Sequence, residues 1–227
     1  FQKFYILLEK LAQYILDYIV VADGDIKRNF SGSNVKIIFN YPQRTNYLEA
    51  KRNKIVYIGD ISSNRGFEYF DRINLIAKKY DLDFKLFGRW ESPSRNYYCG
   101  YLNYDDIPKV LKESILGICI LKKTDNYINA VPTKMYEYLG NGVPAICSDF
   151  DVLKRKFDDV KGVYYVNTDQ FEETLNIIDK ALNELINNYP THKIIHESFN
   201  LKNYDWQIEE EKLFKIYSEI LIENTTN

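Results

Sequence analysis

The sequence predicts a doubly wound α/β domain over about residues 54–190, a parallel sheet covered by helices on both faces. Three observations point there. Short, continuously apolar runs, KIVYIG (54–59), DFKLFG (83–88), LGICIL (116–121), VPAICS (143–148) and GVYYVN (162–167), read as strands buried on both sides. Amphipathic helical stretches separate them, as crossovers between parallel strands require. The strands end at Gly59-Asp60, Gly88-Arg89, Leu121-Lys122 and Ser148-Asp149, and sheets of this class take ligands at that edge.

Taken in order, residues 1–17 carry a helical stripe of Phe4, Leu7, Leu8, Leu11 and Ile15. Lys3, Glu9, Lys10 and Asp17 interrupt its apolar character, so it reads as an amphipathic helix rather than a signal peptide. YIVVAD (18–23) reads as a strand, DGD as a turn, IKRNF as one helical turn and VKIIFNYP (35–42) as a strand ending at proline. The polar stretch QRTNYLEAKRN (43–53) reads as a linker. GFEYFDRINLIAKKY (66–80) puts Phe67, Phe70, Ile73, Ile76 and Ala77 on one helical side. YYCGYL (97–102) reads as a short strand. YDDIPKVLKES (104–114) reads as a helix with Asp105-Asp106 before it and Pro108 in its first turn. Residues 169–188 read as a long helix, and 207–222 as an amphipathic one with Leu213, Ile216, Tyr217, Ile220 and Leu221.

Composition narrows the function. The chain has 227 residues, 45% hydrophobic and 27% charged, an ordinary globular balance. A net charge of -2 gives no global field for nucleic acid, and no basic stripe turns the 20 tyrosines into a stacking platform. Cys99, Cys119 and Cys147 read as buried free thiols of a reducing compartment. No apolar run is long enough to span a bilayer. The G-x-G-x-x-G dinucleotide fingerprint and the G-K-[ST] phosphate loop are both absent, against NAD and direct ATP chemistry. His192 and His196 have a metal-compatible spacing but lack a neighbouring third ligand, so no metal is expected.

Two stretches carry candidate chemistry. In YIGDISSNRGFEYF, a strand ends at Gly59 and a helix opens at Gly66 after Arg65. Helix amino termini attract anions, and arginine presents a fork matched to phosphate. An ordinary strand-to-helix loop is the competing reading. In AVPTKMYEYLGNGVPAICSD (130–149), Pro132 suits a first helical turn and leaves Thr133 and Lys134 at the helix start. An ammonium there opposes the helix dipole unless an anion joins it. Glu137 follows one turn on. It can accept hydrogen bonds from vicinal sugar hydroxyls. Alternatively it forms an i,i+3 surface ion pair with Lys134. Trp90, Lys122 and Lys123 stand near the same strand ends.

PTKMYEYLGNGVPAICSD resembles the donor-binding signature P-x-K-x-x-E-Y-x-x-x-G-x-P-[VA]-[IV] of family 4 (group 1) GT-B glycosyltransferases. Pro132, Lys134, Glu137, Tyr138, Gly142, Pro144 and Ala145-Ile146 match in order. YIGDISSNRG resembles that family's first phosphate loop, and LFGRW and YCGYL fall at its second strand and F-x-G-x-[VL] segment. YDWQIEEEKLFKIYSEIL resembles its closing tryptophan-led helix, so the likeness covers about residues 35–222.

The resemblance implies a Rossmann-like donor domain that transfers a sugar from a UDP- or GDP-linked donor, with anomeric retention and without a cofactor. The acceptor would be a glycan or a lipid-linked sugar in cell-surface polysaccharide synthesis, at the cytoplasmic side or the inner membrane face. Arg65, Gly66, Thr133 and Lys134 would hold the diphosphate, with Arg65 and Lys134 activating the donor. Glu137 would take the ribose, Asn129 and Ala130 the donor sugar, and Gly100, Tyr101 and Leu102 the base. Gly59, Asp60, Gly88 and Arg89 would line the rest of the cleft. Residues 1–42 would be a remnant of an amino-terminal acceptor domain, 43–53 a linker, 54–190 the donor domain and 191–227 a crossover helix region. The partner would be a separate amino-terminal domain or a second copy, and this half alone would turn over poorly. Two positions depart from the pattern. Asn129, eight positions before Glu137, replaces the family's acidic residue, and Asp60 replaces its arginine. A non-catalytic nucleotide-sugar module and an epimerase are the competing readings.

Overall fold

A computed structural model describes residues 2–32, 34–90, 94–187, 191–200 and 202–225. In chain order its elements are α1 (Gln2–Ile15), β1 (Ile19–Val21), α2 (Gly24–Lys27), β2 (Val35–Ile37) and β3 (Lys54–Ile58). Then come α3 (Phe70–Lys79), β4 (Asp83–Phe87), α4 (Ile107–Lys112), β5 (Ser114–Cys119), α5 (Thr133–Gly140) and β6 (Ala145–Ser148). The last are α6 (Asp151–Phe157), β7 (Val163–Val166), α7 (Phe171–Asn187), α8 (Thr191–Asn200) and α9 (Trp206–Thr225). Short 3-10 turns lead into α3 and α4. The chain divides into two compact units, residues 45–203 and residues 1–44 with 204–227.

The larger unit is the predicted α/β fold. Among the described residues its sheet runs β4-β3-β5-β6-β7, and every pair is parallel. The sheet begins at β3, next to one edge, goes outward to β4, then crosses back over β3 to β5. That reversal opens a crevice between the carboxyl ends of β3 and β5. The apolar sides of α3 (Phe70, Ile73, Ala77) and α7 (Leu175, Ile178, Ala181, Leu182, Leu185) share a buried cluster with Ile55, Phe84, Leu86 and Leu116. Helix α5 packs against β5, β6 and α8. Burial on both faces explains why these strands are apolar runs rather than alternating ones.

The crevice has a built wedge. Ladder pairing of β3 with β5 ends at Val56–Gly117. Beyond it the Ile58 N–H donates to the Tyr138 hydroxyl (3.0 Å), which donates to the Ile118 carbonyl (3.4 Å). The Tyr138 ring needs the space left by Gly117, where a Cβ would come within 2.4 Å of it. A second hydroxyl does similar work one strand over. Buried Ser148 accepts from the Leu121 N–H (2.8 Å) and donates to the Leu121 carbonyl (2.7 Å).

Several elements differ from the sequence expectation. YYCGYL contributes only an isolated bridge, Tyr98 with Leu86, because the chain leaves at Gly100 with φ +87°. Pro132 is the cap before α5 rather than part of its first turn. Helix α6 was not anticipated, and α8 falls within the expected crossover helix region without having been singled out; both are short. Residue 188, the expected end of the long helix, lies outside the described residues, as does residue 190. Arg52, in the expected linker, is buried. Its guanidinium donates to the Leu111 (3.0 Å), Ser114 (2.9 Å) and Asn141 (3.3 Å) carbonyls, at the carboxyl ends of α4 and α5. Cys119 and Cys147 are buried free thiols, whereas Cys99 is exposed.

The smaller unit pairs β1 with β2 in parallel (Ile19↔Val35, Val21↔Ile37). Helix α9 joins it through Trp206 N–H to the Pro42 carbonyl (3.0 Å) and Tyr18 hydroxyl to Glu219 (2.8 Å). Buried Glu209 accepts from the Phe39 N–H (3.0 Å). Leu7, Leu8, Leu11 and Ile15 of α1, and Phe214, Tyr217 and Leu221 of α9, are exposed. No helix among the described residues is long and apolar enough to cross a membrane.

Tyr138→Phe leaves the Ile58 and Ile118 backbone groups without the hydroxyl and is expected to cost about 1–3 kcal/mol. Gly117→Ala drives a methyl into the ring and is expected to cost about 1–3 kcal/mol or more. Urea unfolding of the two single variants and the double variant measures both losses. Because the two residues touch, the losses will not add.

Candidate functional site: a buried ammonium at the strand switch

The site is built where β3, β5 and α5 converge. Lys134 occupies the second position of α5 and is buried. Its ammonium lies 3.8 Å from the centroid of the Tyr57 ring. It has no hydrogen-bond partner among the described residues. Gly59, at φ +137°, makes the space: a Cβ there would lie 2.9 Å from Nζ. Burial lowers the Lys134 pKa to about 8; Arg65 pushes the same way, while Cys119, Glu137 and Asp60 oppose it. Desolvating an ammonium without a hydrogen-bond acceptor is costly, which makes this lysine a functional-site candidate.

Arg65 stands beside it. Its Nε–H donates to the Tyr127 hydroxyl (3.1 Å), and its Nη1 lies 3.6 Å from Asp60 Oδ2. The Tyr127 bond, first, and then Asp60 keep its pKa above the ordinary value despite partial burial. Asp60 is thus an exposed ion-pair neighbour of the arginine. The Asp60 carbonyl accepts from the Tyr57 hydroxyl (2.7 Å), which ties the loop to the ring under Lys134.

Glu137 lies one turn along α5, half-buried. Burial raises its pKa, and Lys134 lowers it in part. The alternative surface ion pair with Lys134 does not form: among the described residues the Glu137 side chain has no hydrogen bond or ion pair, and only its carbonyl accepts, from Asn141. The two groups leave the helix at different depths, and Lys134 turns down onto Tyr57.

The remaining predicted residues divide by place. Gly66 is left-handed (φ +75°), and a Cβ there would meet Ile120 at 3.0 Å, so its first duty is steric. Gly88 (φ +145°) crosses Gly59 so closely that a Cβ would lie 1.9 Å from the Gly59 carbonyl. The Gly100 carbonyl accepts from the Gly88 N–H (2.9 Å), so Gly100, Tyr101 and Leu102 border the end of β4, with Tyr101 exposed. Thr133 is exposed at the start of α5. Exposed Asn129 sits in a turn over residues 125–129, closed where Ala130 N–H donates to the Tyr127 carbonyl (3.1 Å). Arg89 faces a neighbouring cleft of about 710 Å³ with Asp60, Ser62, Ser63, Phe67 and Trp90. Trp90 also packs edge-on against Phe67 and Tyr98. Lys122 is paired with Glu68 at 3.1 Å.

The histidines have structural work. His192 Nδ1–H donates to the Gly142 carbonyl and His196 Nε2–H to the Thr45 carbonyl, each at 2.8 Å. Among the described residues no cluster of three or more His, Cys, Asp or Glu forms. Sequence reasoning missed Tyr57, Tyr127 and Cys119 as neighbours of the charged groups. Nothing local in the sequence signals them, because each contact spans distant segments.

A parallel sheet of order β4-β3-β5-β6-β7 flanked by helices is the fold of the GT-B glycosyltransferase structures that this chain resembles. The chain belongs to the Glycosyl transferase-like family, whose model matches residues 72–188, just over half of the chain. The solved structures it resembles share the fold. S. aureus TarM, in a complex with UDP, superposes with TM-score 0.65 at 16% identity, covering 91% of this chain and 45% of TarM. The pneumococcal O-GlcNAc transferase GtfA, with UDP and GlcNAc, gives 0.65 at 12% identity, covering 91% and 46%. Anabaena HepE, with UDP and glucose, gives 0.68 at 10% identity, covering 96% and 67%. The chain thus spans about half the length of TarM and GtfA. No curated protein matches it.

Two outcomes follow from the buried bases. The folded pKa of Lys134 is about 8, below its unfolded value of 10.5, so the unfolded chain holds more protons between those limits. Burial of the charge therefore penalises the fold fully below pH 8, and the penalty fades by pH 10.5. Lys134→Met is expected to raise stability by about 1–3 kcal/mol at pH 7, with the Tyr57 attraction offsetting part of the gain. That gain is expected to shrink toward zero as the pH reaches 10.5, in urea titrations across the range. Burial, with Arg52 adding repulsion, lowers His192 from 6.5 to about 4. Stability is accordingly complete above pH 6.5 and falls by about 1.4 kcal/mol per unit as pH drops toward 4. His192→Gln is expected to flatten that acid limb in thermal melts.

Proposed function

We propose that residues 45–203 are the donor-binding half of a glycosyltransferase that uses a nucleoside diphosphate sugar. The observation that carries this reading is the buried Lys134 ammonium, unpaired and adjacent to Arg65, at the crevice between β3 and β5. A buried cation without a carboxylate is arranged to meet an anion that comes and goes. A diphosphate fits the pair formed by Lys134 and Arg65. Glu137, one helical turn away, suits the two hydroxyls of a ribose.

On this reading Lys134 and Arg65 stabilise charge developing on the leaving diphosphate, a role that needs no metal. Thr133 and the backbone at Gly66 lie against the phosphates. Gly100, Tyr101 and Leu102 border the base, Asn129 and Ala130 the transferred sugar, and Gly59, Asp60, Gly88 and Arg89 the cleft wall. The signature over residues 132–146 supports family 4 membership, with retention at the anomeric carbon and an acceptor in cell-surface glycan synthesis. Residues 1–42, with their small parallel sheet, are read as part of an acceptor domain, and the acceptor is contributed there or by a partner chain. A cytoplasmic site facing a lipid-linked acceptor suits that chemistry. The Asp60–Arg65 pair favours a second reading, a module that binds nucleotide sugar without turning it over.

Calorimetry with UDP, GDP and their hexose conjugates tests the site. Glu137→Ala is expected to weaken binding about ten- to hundredfold with little loss of stability. A chain that binds none of these ligands, or a Glu137 variant that changes only stability, refutes the reading. Hydrolysis of the bound donor separates a transferase from a binding module.

A further inference from the structure

Resting on the donor-site reading, we infer that Tyr57 is a positioning residue whose ring holds the Lys134 ammonium in the unliganded protein and releases it to a diphosphate. Three contacts make Tyr57 a fixed platform. Its hydroxyl donates to the Asp60 carbonyl at 2.7 Å. Phe70 packs on it with ring centroids 4.9 Å apart. The side chain is wholly buried, so the ring cannot turn away. Lys134 Nζ then lies 3.8 Å from the ring centroid, beside Gly59, where a Cβ would stand 2.9 Å from it.

The chemistry of the platform matters. A carboxylate at position 57 would bind the ammonium as a desolvated ion pair and compete with any incoming anion. Water would leave the ammonium hydrated, with no fixed position. An aromatic face attracts a cation through its quadrupole but carries no net charge, so the positive charge is held without being neutralised. Other groups facing Lys134 do not replace the ring. Asp60 is engaged with Arg65, Glu137 makes no ion pair with the lysine, and burial raises the Cys119 thiol to about 11, which keeps it neutral. Arg65 repels the ammonium, and Glu137 and Asp60 attract it without a hydrogen bond or ion pair, so the ring is the contact that fixes its position.

Release to a diphosphate has a proton signature. In the unliganded protein the amine titrates near pH 8. Paired with a diphosphate it holds its proton to higher pH. Affinity for a nucleotide sugar, whose phosphodiester groups do not titrate in this range, is therefore constant below about pH 8 and falls about tenfold per unit above it. Replacing the ring removes attraction for the charged form, so the fall begins about one pH unit lower.

The test uses the full chain, as wild type, Tyr57→Phe and Tyr57→Leu. Lysine-labelled protein is titrated by NMR without ligand, and UDP-glucose and GDP-mannose binding is followed by calorimetry from pH 7 to 9.5. The expected wild-type result is a Lys134 Cε resonance displaced by the ring current and an amine midpoint near 8. Tyr57→Phe keeps both, and keeps the pH profile of binding, because the ring remains. Tyr57→Leu loses the displacement and moves the onset of affinity loss to lower pH. An undisplaced Lys134 resonance in the wild type overturns the inference, even if Tyr57→Leu fails to fold. An unchanged midpoint and binding profile in folded Tyr57→Leu also overturns it. Wild-type protein that shows the displaced resonance yet binds neither nucleotide sugar refutes the donor-site reading and the release step, while the ring–ammonium contact stands.

Discussion

The ladder between β3 and β5 stops early, and the rest of the site depends on what happens above that point. Val56 and Gly117 are the last paired residues, yet both strands continue. Their next backbone groups would be buried and unsatisfied without Tyr138, whose hydroxyl serves Ile58 on one strand and Ile118 on the other. The wedge lets the strands part without an energetic penalty for orphaned peptide groups. It also anchors α5, because Tyr138 belongs to that helix. Lys134 is thereby set one turn before the wedge and Glu137 directly beside it in the chain, at the mouth of the opening.

Glycines complete the geometry by omission. Gly117 admits the Tyr138 ring, Gly59 admits the Lys134 ammonium, and Gly88 lets β4 close against β3. Each is a place where one added carbon would displace a polar group needed at the strand ends. The same economy leaves the lysine desolvated and without a hydrogen bond. That arrangement opposes stability, and it persists because the surrounding packing over-determines it. A charge kept ready in this way needs little reorganisation when an anion arrives.

Much of this was legible beforehand. Apolar strand runs and helical spacing located all five strands of the main sheet to within a few residues, because burial on both faces leaves a continuous hydrophobic signal. Lys134, Glu137, Arg65 and Gly59 could be singled out as candidates. Arg52 could not: in the sequence it lies in a polar stretch, and only the fold reveals the three carbonyls that bury it. The helices α6 and α8 were not singled out, for a related reason. Their apolar faces are short, and much of their order comes from neighbours distant in the chain.

By itself the sequence determined the class of fold and the order of the charged residues along it, since periodicity and composition act locally. Only the tertiary structure decided how those charges are used. It withheld the ion pair between Lys134 and Glu137 that their spacing permits, and set Lys134 against Tyr57, a residue 77 positions away. It also turned Asp60 from an anomaly into the partner of Arg65. Spacing along a helix says which side chains can meet. Burial, and the cost of leaving a charge without water, determine which contacts form.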